Sequence, residues 1–348
     1  MTGPMQRLRV ALADMSPVYF SMVMATGILS LSAQMLAVPV VPWLLFLVNL
    51  LLFAVVSTLA VLRLCWHPRR VLADLRDHLR SPGFFTLVAA CSVLGSQCLV
   101  IAENLALAKL LWILGLAAWV ILTYLIFTVL TVKEDKPSLD KGINGGWLLA
   151  VVATQSLAVL GALIAAHVDQ PYRVELNFFA LAMWLNGGML YIWMMSLIFY
   201  RYTFFHFSPA DLSPPYWINM GAMAISTLAG SQLILNAADA PLMQKLLPFI
   251  MGFTVFYWAT GTWWIPMLLL LAIWRHGIKR YPFQYDPLYW GAVFPLGMYA
   301  ASTQKMTEAL NIGFLRNLPQ LFLALGLLTW TVVFVGQIRS LLSQRKTL

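Results

Sequence analysis

Charge is what this sequence has least of. Only 10% of its 348 residues are Asp, Glu, Lys or Arg, while 61% are hydrophobic; soluble domains carry about a quarter charged residues. With a mean hydropathy of +0.80, an ordinary water-soluble globule is excluded and the chain reads as a polytopic membrane protein. Cysteine is scarce as well. Cys65, Cys91 and Cys98 are too few and too apolar in setting for a disulfide framework or a zinc site. Cys91 and Cys98 lie seven apart on one helix face, as packing residues do. The five histidines (His67, His78, His167, His206, His276) fall in loops or at span edges and form no ligand cluster, so no metal and no other cofactor is expected. Paired acids, or a nucleophile beside its base, are missing from the spans: their many Ser and Thr have no nearby His or Asp. That argues against an intramembrane enzyme.

The net charge of +9 could point to nucleic acid, but its distribution points to topology instead. A bilayer helix needs about 20 mostly apolar residues, and that rule gives ten spans: roughly 16–36, 42–63, 84–104, 108–131, 147–167, 177–200, 216–236, 246–274, 287–307 and 318–338. Short polar connectors separate them, so one transmembrane domain over 1–348 is expected, with no inserted soluble domain. The opening MTGPMQRLRV runs straight into a full-length span, so no cleaved leader is expected. With the N-terminus inside, 17 of the 22 Lys and Arg fall on the inner side. Only Lys109, Arg173, Lys245, Lys305 and Arg316 fall outside. A missed or surplus span would scramble that asymmetry. The expectation is ten spans in a bacterial inner membrane, both termini cytoplasmic, and no nucleic-acid partner.

The spans differ by turns. Each odd-numbered span places Ser or Thr within two positions before a glutamine: Gln34, Gln97, Gln155, Gln232 and Gln304. No even-numbered span has a glutamine in its interior. The odd spans also carry Gly27, Gly95, Gly161, Gly221, Gly230, Gly291 and Gly297, whereas the even ones are richer in Leu, Trp and Phe. Small and polar residues commonly join helices in lipid, which accounts well for the glycines. It accounts less well for amides confined to alternate spans, because polar side chains at membrane depth usually face a bundle interior or a wet cavity. The pattern therefore predicts five inner helices from the odd spans, ringed by five outer helices. The polar candidates for lining are the five glutamines with Thr26, Ser96, Ser231 and Ser302. Gly27, Gly95, Gly161, Gly221 and Gly230 are candidates for close packing or kinks.

The ninth span contains GAVFPLGMYAASTQK, residues 291 to 305. Pro295 removes one backbone hydrogen bond and clashes with the preceding turn, a cost of roughly 3 kcal/mol. In a bilayer the freed carbonyl must find another partner, such as water. Pro295 thus suits a helix bordering a wet cavity, with Gly297 letting the bent backbone pack closely, although proline-kinked helices that line nothing are also common. Phe294, Met298, Ala301 and Lys305 share one face, with Lys305 roughly 16 Å from Phe294 toward the outer mouth. Lys305 is either a cation drawing anions in, partly cancelled by Glu308, or a snorkelling residue at the span end.

The run PLYWGAVFPLGMYAAST resembles the ninth-span signature of the tellurite-resistance and dicarboxylate transporter family, which includes the plant guard-cell slow anion channels. SPVYFSMVMATGILS is similar to that family's first span, and PPYWINMGAMAISTLAG to its seventh. The likeness covers nearly the whole chain in order and spacing. It implies five helical hairpins in quasi-fivefold arrangement, a homotrimer with one pore per protomer, and a phenylalanine of the ninth helix, here Phe294, occluding that pore. Two departures are mild: Tyr289-Trp290 stands where the family has a double tryptophan, and Ala25-Thr26-Gly27 where it has Gly-Thr-Gly. The expected function is an anion channel or permease for small inorganic or organic anions. The alternative is a secondary transporter of C4-dicarboxylates, sulfite or tellurite-related oxyanions, coupled to protons or not.

Overall fold

A computed structural model describes residues 4–282 and 285–347. Among the described residues the chain is helical, with ten long helices: α1 (Ser21–Met35), α2 (Val41–Trp66), α3 (Phe85–Val100), α4 (Leu105–Val132), α5 (Leu149–Ala165), α6 (Tyr172–Phe204), α7 (Ile218–Asn236), α8 (Pro241–Ile273), α9 (Trp290–Leu310) and α10 (Leu318–Thr347). A short helix, Pro4–Ala13, precedes them. Nine stretches, each holding one of these helices, are long and apolar enough to cross a membrane. The exception is α9. Its 21 residues reach spanning length, but Gln304, Lys305 and Glu308 at one end, with proline and glycines inside, lower its hydropathy.

The helices are of two kinds. In the most apolar 18-residue stretch of the spans that hold α1, α3, α5 and α7 (each helix with the turn before it), between 83% and 94% of the residues are buried; in those that hold α2, α4, α8 and α10 the share is 22%. The buried helices contact one another in a closed circuit, α1 to α3, α5, α7, α9 and back to α1. Each also packs on the helix that follows it in sequence. The outer helices expose Leu47, Leu51, Ile121, Phe256 and Leu328, an apolar surface of the kind lipid covers. Helix α6 is intermediate, at 56% buried, because it is wedged deeper. Its Trp184 donates the indole N–H to Ser226 O on α7, and its backbone accepts from Gln155 of α5.

Small residues make the inner circuit possible. A β-carbon on Gly27 would lie 2.5 Å from Val93 and one on Gly95 2.5 Å from Leu160, both on neighbouring inner helices, while one on Gly230 would lie 2.2 Å from Thr254 Oγ1 of outer helix α8. Helices in lipid gain little from burying apolar surface against each other, so backbone approach of this sort supplies much of their attraction. At Gly161 the gap is wider, 3.3 Å to the Trp112 ring.

All five buried helices begin with the same device. A 3-10 turn precedes each: Pro17–Phe20, Ser81–Phe84, Gly145–Leu148, Pro214–Trp217 and Pro287–Tyr289. The underlying sequences are SPVYF, SPGFF, NGGWL, SPPYW and DPLYW. Proline or glycine fits the first turn, where the backbone N–H has no helical partner to lose. In three of the five the preceding polar side chain caps: Ser16 Oγ accepts the N–H of Val18 (3.3 Å), Asn144 Oδ1 that of Gly146 (2.8 Å) and Asp286 Oδ1 that of Leu288 (2.8 Å). The five turns touch one another in the same circular order as their helices and gather at one end of the bundle. At that end the buried Arg63 donates to Asp74 (2.6 Å) and to the carbonyls of Leu12 and Ala13. The N-terminal helix is thereby fastened across the gathered turns.

Candidate functional site

Two cavities follow the middle of the inner circuit. The larger, about 1010 Å³, lies where the five turns gather, and the N-terminal helix contributes Gln6, Arg7 and Val10 to its wall, with Asp14 just after it. Its lining reaches into the helices as far as Ser21 and Met24 of α1, Leu149 of α5, Ile218 of α7 and Gly291 of α9, with Gly83 of the turn before α3. The smaller cavity measures only about 20 Å³ and takes a residue from every buried helix, among them Ile28, Ser92, Ser156, Ile225 and Met298. That volume holds about one water molecule.

The two linings are in register. Ser21 and Ile28, Leu149 and Ser156, Ile218 and Ile225, Gly291 and Met298 are each seven residues apart. Seven residues are two helical turns, about 10 Å along the axis on the same face. By position along their helices, Val88, Val152, Gly221 and Phe294 fall between the two sets of lining residues; all are buried, and Phe294, 0% exposed, is the bulkiest of them. Phe294 also shares the helix face of Gly291 and Met298.

Pro295 beside it has a clear packing role. Its ring seats on Gly221 of α7, where a β-carbon would come within 2.8 Å of Pro295 Cγ. Lacking an N–H, Pro295 leaves the carbonyl of Gly291 without its helical donor, and Gly291 borders the large cavity. Water there can satisfy the carbonyl. Gly297 brings α9 onto α1, with a β-carbon 3.0 Å from Ile28 and Leu29.

The polar candidates divide, and most do not face the cavities. Gln97 is fully buried and its Oε1 accepts from Asn49 on outer helix α2 (2.6 Å). Gln155 donates to the Trp184 carbonyl on α6 (2.9 Å). Thr26 accepts the indole N–H of Trp330 on α10 (2.9 Å). These groups join inner helices to outer ones, and the expectation that they line a lumen is corrected. Ser231 and Ser302 turn back onto the carbonyls of Thr227 and Tyr299 in their own helices. Gln34 is exposed at the end of α1, and Gln304 is half-buried near the end of α9. Gln232 and Ser96 do line the small cavity, together with Ser92 and Ser156, which the glutamine-centred pattern passed over. Lys305 is ion-paired to Glu308 at 2.7 Å, one turn along its own helix. Its charge is therefore offset locally.

The electrostatics of the large cavity come mostly from backbone. Five helices start at its wall, and each N-terminus carries a partial positive charge of roughly half a unit. The charged side chains on the lining are Arg7, Asp14, Arg80 and Asp286. Asp14 pairs with Arg70 and Arg80 with Asp74, while Asp286 is the cap described above. Among the described residues, no group of three or more His, Cys, Asp or Glu is placed to hold a metal ion.

A family model described as "voltage-dependent anion channel" matches residues 14–338. A protein of Methanocaldococcus jannaschii named an uncharacterized transporter is 30% identical over 293 residues, 82% of each chain. The sulfite efflux pump of Trichophyton rubrum is 23% identical over 348 aligned residues, covering 93% of this chain and 90% of its own. An uncharacterized membrane protein of Mycobacterium tuberculosis is 36% identical over 152 residues, 44% of this chain and 77% of its own.

Proposed function

Because the chain belongs to the voltage-dependent anion channel family, an integral membrane family of anion channels and transporters, we propose that it conducts small anions through the middle of its inner helix circuit, with Phe294 as the closure. On this reading α9 spans the bilayer with the other nine helices. The ten form five hairpins in quasi-fivefold order around one pore, with both termini and the five turns on the cytoplasmic side, where the basic residues fall. A homotrimer with one pore per protomer, as the family likeness implies, belongs to the same proposal.

What supports the reading is that the two cavities are lined by the same helix faces two turns apart, and that the fully buried Phe294 falls between those positions on α9. A ring across such a path closes it by excluding water. Turning it off its preferred rotamer costs about 1 kcal/mol, so a small change in helix packing opens the way. The lining of the small cavity bears serines and no charged side chain, which suits weak binding and fast release. Reconstituted Phe294→Ala protein should pass chloride at least tenfold faster than wild type in liposomes. An unchanged rate in correctly folded protein removes the gate from Phe294.

Uncoupled flow is favoured over proton-coupled transport by one observation. Among the described residues, the buried charged side chains are Arg63, Asp74 and Arg201. Arg63 pairs with Asp74 and Arg201 with Asp211, toward the end where the turns gather and away from Phe294, whereas coupling usually needs an ionisable group at membrane depth. Sulfite, the anion in the name of the Trichophyton relative, is the first oxyanion to test beside chloride, and C4-dicarboxylates and tellurite-related oxyanions follow. Proton uptake stoichiometric with sulfite or malate flux would replace the channel reading with the coupled one.

A further inference from the structure

The arginines around the end of α2 are of two kinds. Arg63, Arg70 and Arg80 are ion-paired, the first and last with Asp74 and the second with Asp14. Arg9, Arg69 and Arg76 are exposed and, among the described residues, have no carboxylate within ion-pair distance. The remaining nearby acid, Asp77, serves its own turn: its Oδ1 accepts the N–H of Leu79 (2.9 Å) and that of Arg80 (2.8 Å). Topology alone puts basic residues on one side of a membrane. It does not account for three free guanidinium groups set among exposed apolar side chains.

Two short helices carry them. Pro68–Leu75 follows directly on α2, and Arg69, Leu72 and Arg76, three and seven residues apart, share its exposed face. Leu72, 44% exposed, stands between two arginines about 10 Å apart along the axis. The N-terminal helix Pro4–Ala13 has two faces. Arg7, Val10 and Ala11, with Asp14 just beyond, line the large cavity. Met5, Leu8, Arg9 and Leu12 lie opposite; Leu12 is buried, while Met5, Leu8 and Arg9 are exposed. The two helices lie together, because His67 Nε2 donates to the carbonyl of Arg9 (2.8 Å) and Arg70 pairs with Asp14.

We propose that this corner is a docking surface for anionic phospholipid, with Arg9, Arg69 and Arg76 on headgroup phosphates and Met5 and Leu72 in the acyl boundary. Apolar side chains interleaved with arginine suit a helix lying in the membrane interface, where long basic side chains reach back to the headgroups. A guanidinium offers paired N–H donors to two phosphate oxygens. Charge and apolar surface together select the partner: a free inorganic anion would leave Met5, Leu8 and Leu72 uncovered, whereas a phospholipid covers both. Lipid occupancy is read without ion flow, so the surface stands or falls apart from the conduction reading.

Native mass spectrometry of the full chain tests it, with the protein released from detergent holding equimolar phosphatidylglycerol and phosphatidylcholine of the same acyl chains. Wild type should retain phosphatidylglycerol over phosphatidylcholine by about fivefold or more. The triple variant Arg9→Gln/Arg69→Gln/Arg76→Gln should bring that ratio close to one. Lys141→Gln/Lys279→Gln/Arg280→Gln, which removes three exposed cations from other connectors at the same end, should leave it within about twofold of wild type. Arg9→Lys/Arg69→Lys/Arg76→Lys keeps the charge and should restore most of the preference, while Leu72→Asp should lower retention of both lipids. No preference in wild type, an equal fall in both glutamine variants, or a lysine variant as poor as the glutamine one would overturn the surface. Excess inorganic phosphate that displaces the lipid, together with full retention in Leu72→Asp, would overturn it in favour of a free-anion site.

Discussion

Helices α4 and α5 make an instructive pair. Their richest stretches have nearly equal mean hydropathy, 2.4 and 2.2, yet 22% of the first is buried and 94% of the second. Hydrophobicity therefore does not sort helices between the inside and outside of this bundle. Lipid is as apolar as leucine, so an apolar surface has no preference between the two places. What differs is size and hydrogen bonding. Helix α5 reads LAVVATQSLAVLGALIA, dominated by small side chains and short hydroxyls, whereas α4 carries Trp112, Trp119, Tyr124 and Phe127. Small residues let α5 touch α3 on one side and α7 on the other. The large ones on α4 reach inward as single anchors, as when Trp119 donates to Thr154 Oγ1 at 2.8 Å.

If this is the sorting rule, substitutions should be felt by helix class. The largest effect is expected where the end of outer helix α2 is tied by charge and holds the N-terminal segment. Asp74→Ala strands Arg63, which is 4% exposed, without its carboxylate; breaking one side of a buried pair costs about 3–5 kcal/mol, read as a drop in the detergent melting temperature and as release of the N-terminal helix to protease. Next comes Gly221→Val, which drives a branched side chain into the rigid Pro295 ring on the neighbouring inner helix. Overpacking of that kind costs about 1–3 kcal/mol, and a melting temperature equal to wild type would contradict the packing described for α7 and α9. Smallest, and of opposite sign, is Gly252→Ala on outer helix α8, where nothing lies within 4 Å of the added carbon. Removing a helix-interior glycine should stabilise by about 0.5–1 kcal/mol; a loss instead would mean that this face is covered by protein.

Much of the architecture was legible in the sequence, though partly for an unexpected reason. The recurring amides pick out the buried helices because an inner amide can reach the backbone or amide of an outer helix, as Gln155 and Gln97 do, and not because amides line a path. Glycine needed no reinterpretation, since absence of a side chain has the same meaning from either side. The fivefold opening turn was present at residues 16, 81, 144, 213 and 286 but hard to read, because Asn-Gly-Gly-Trp and Ser-Pro-Val-Tyr share a conformation and few letters. Whether a helical serine bonds its own backbone or points elsewhere is set by what surrounds it, and every serine looks alike in one dimension.

The central claim is that Phe294 stands in a path water can reach from one end of the bundle to the other. Its most direct test is chloride flux through Phe294→Cys protein in liposomes, before and after a charged, membrane-impermeant thiol reagent, with identically treated wild type controlling for Cys65, Cys91 and Cys98. Shortening the side chain should raise flux, and the reagent should then change it at once, while wild type does not respond. Flux that stays at the wild-type level and ignores the reagent, in protein that elutes and melts as wild type does, would place residue 294 outside any conducting path.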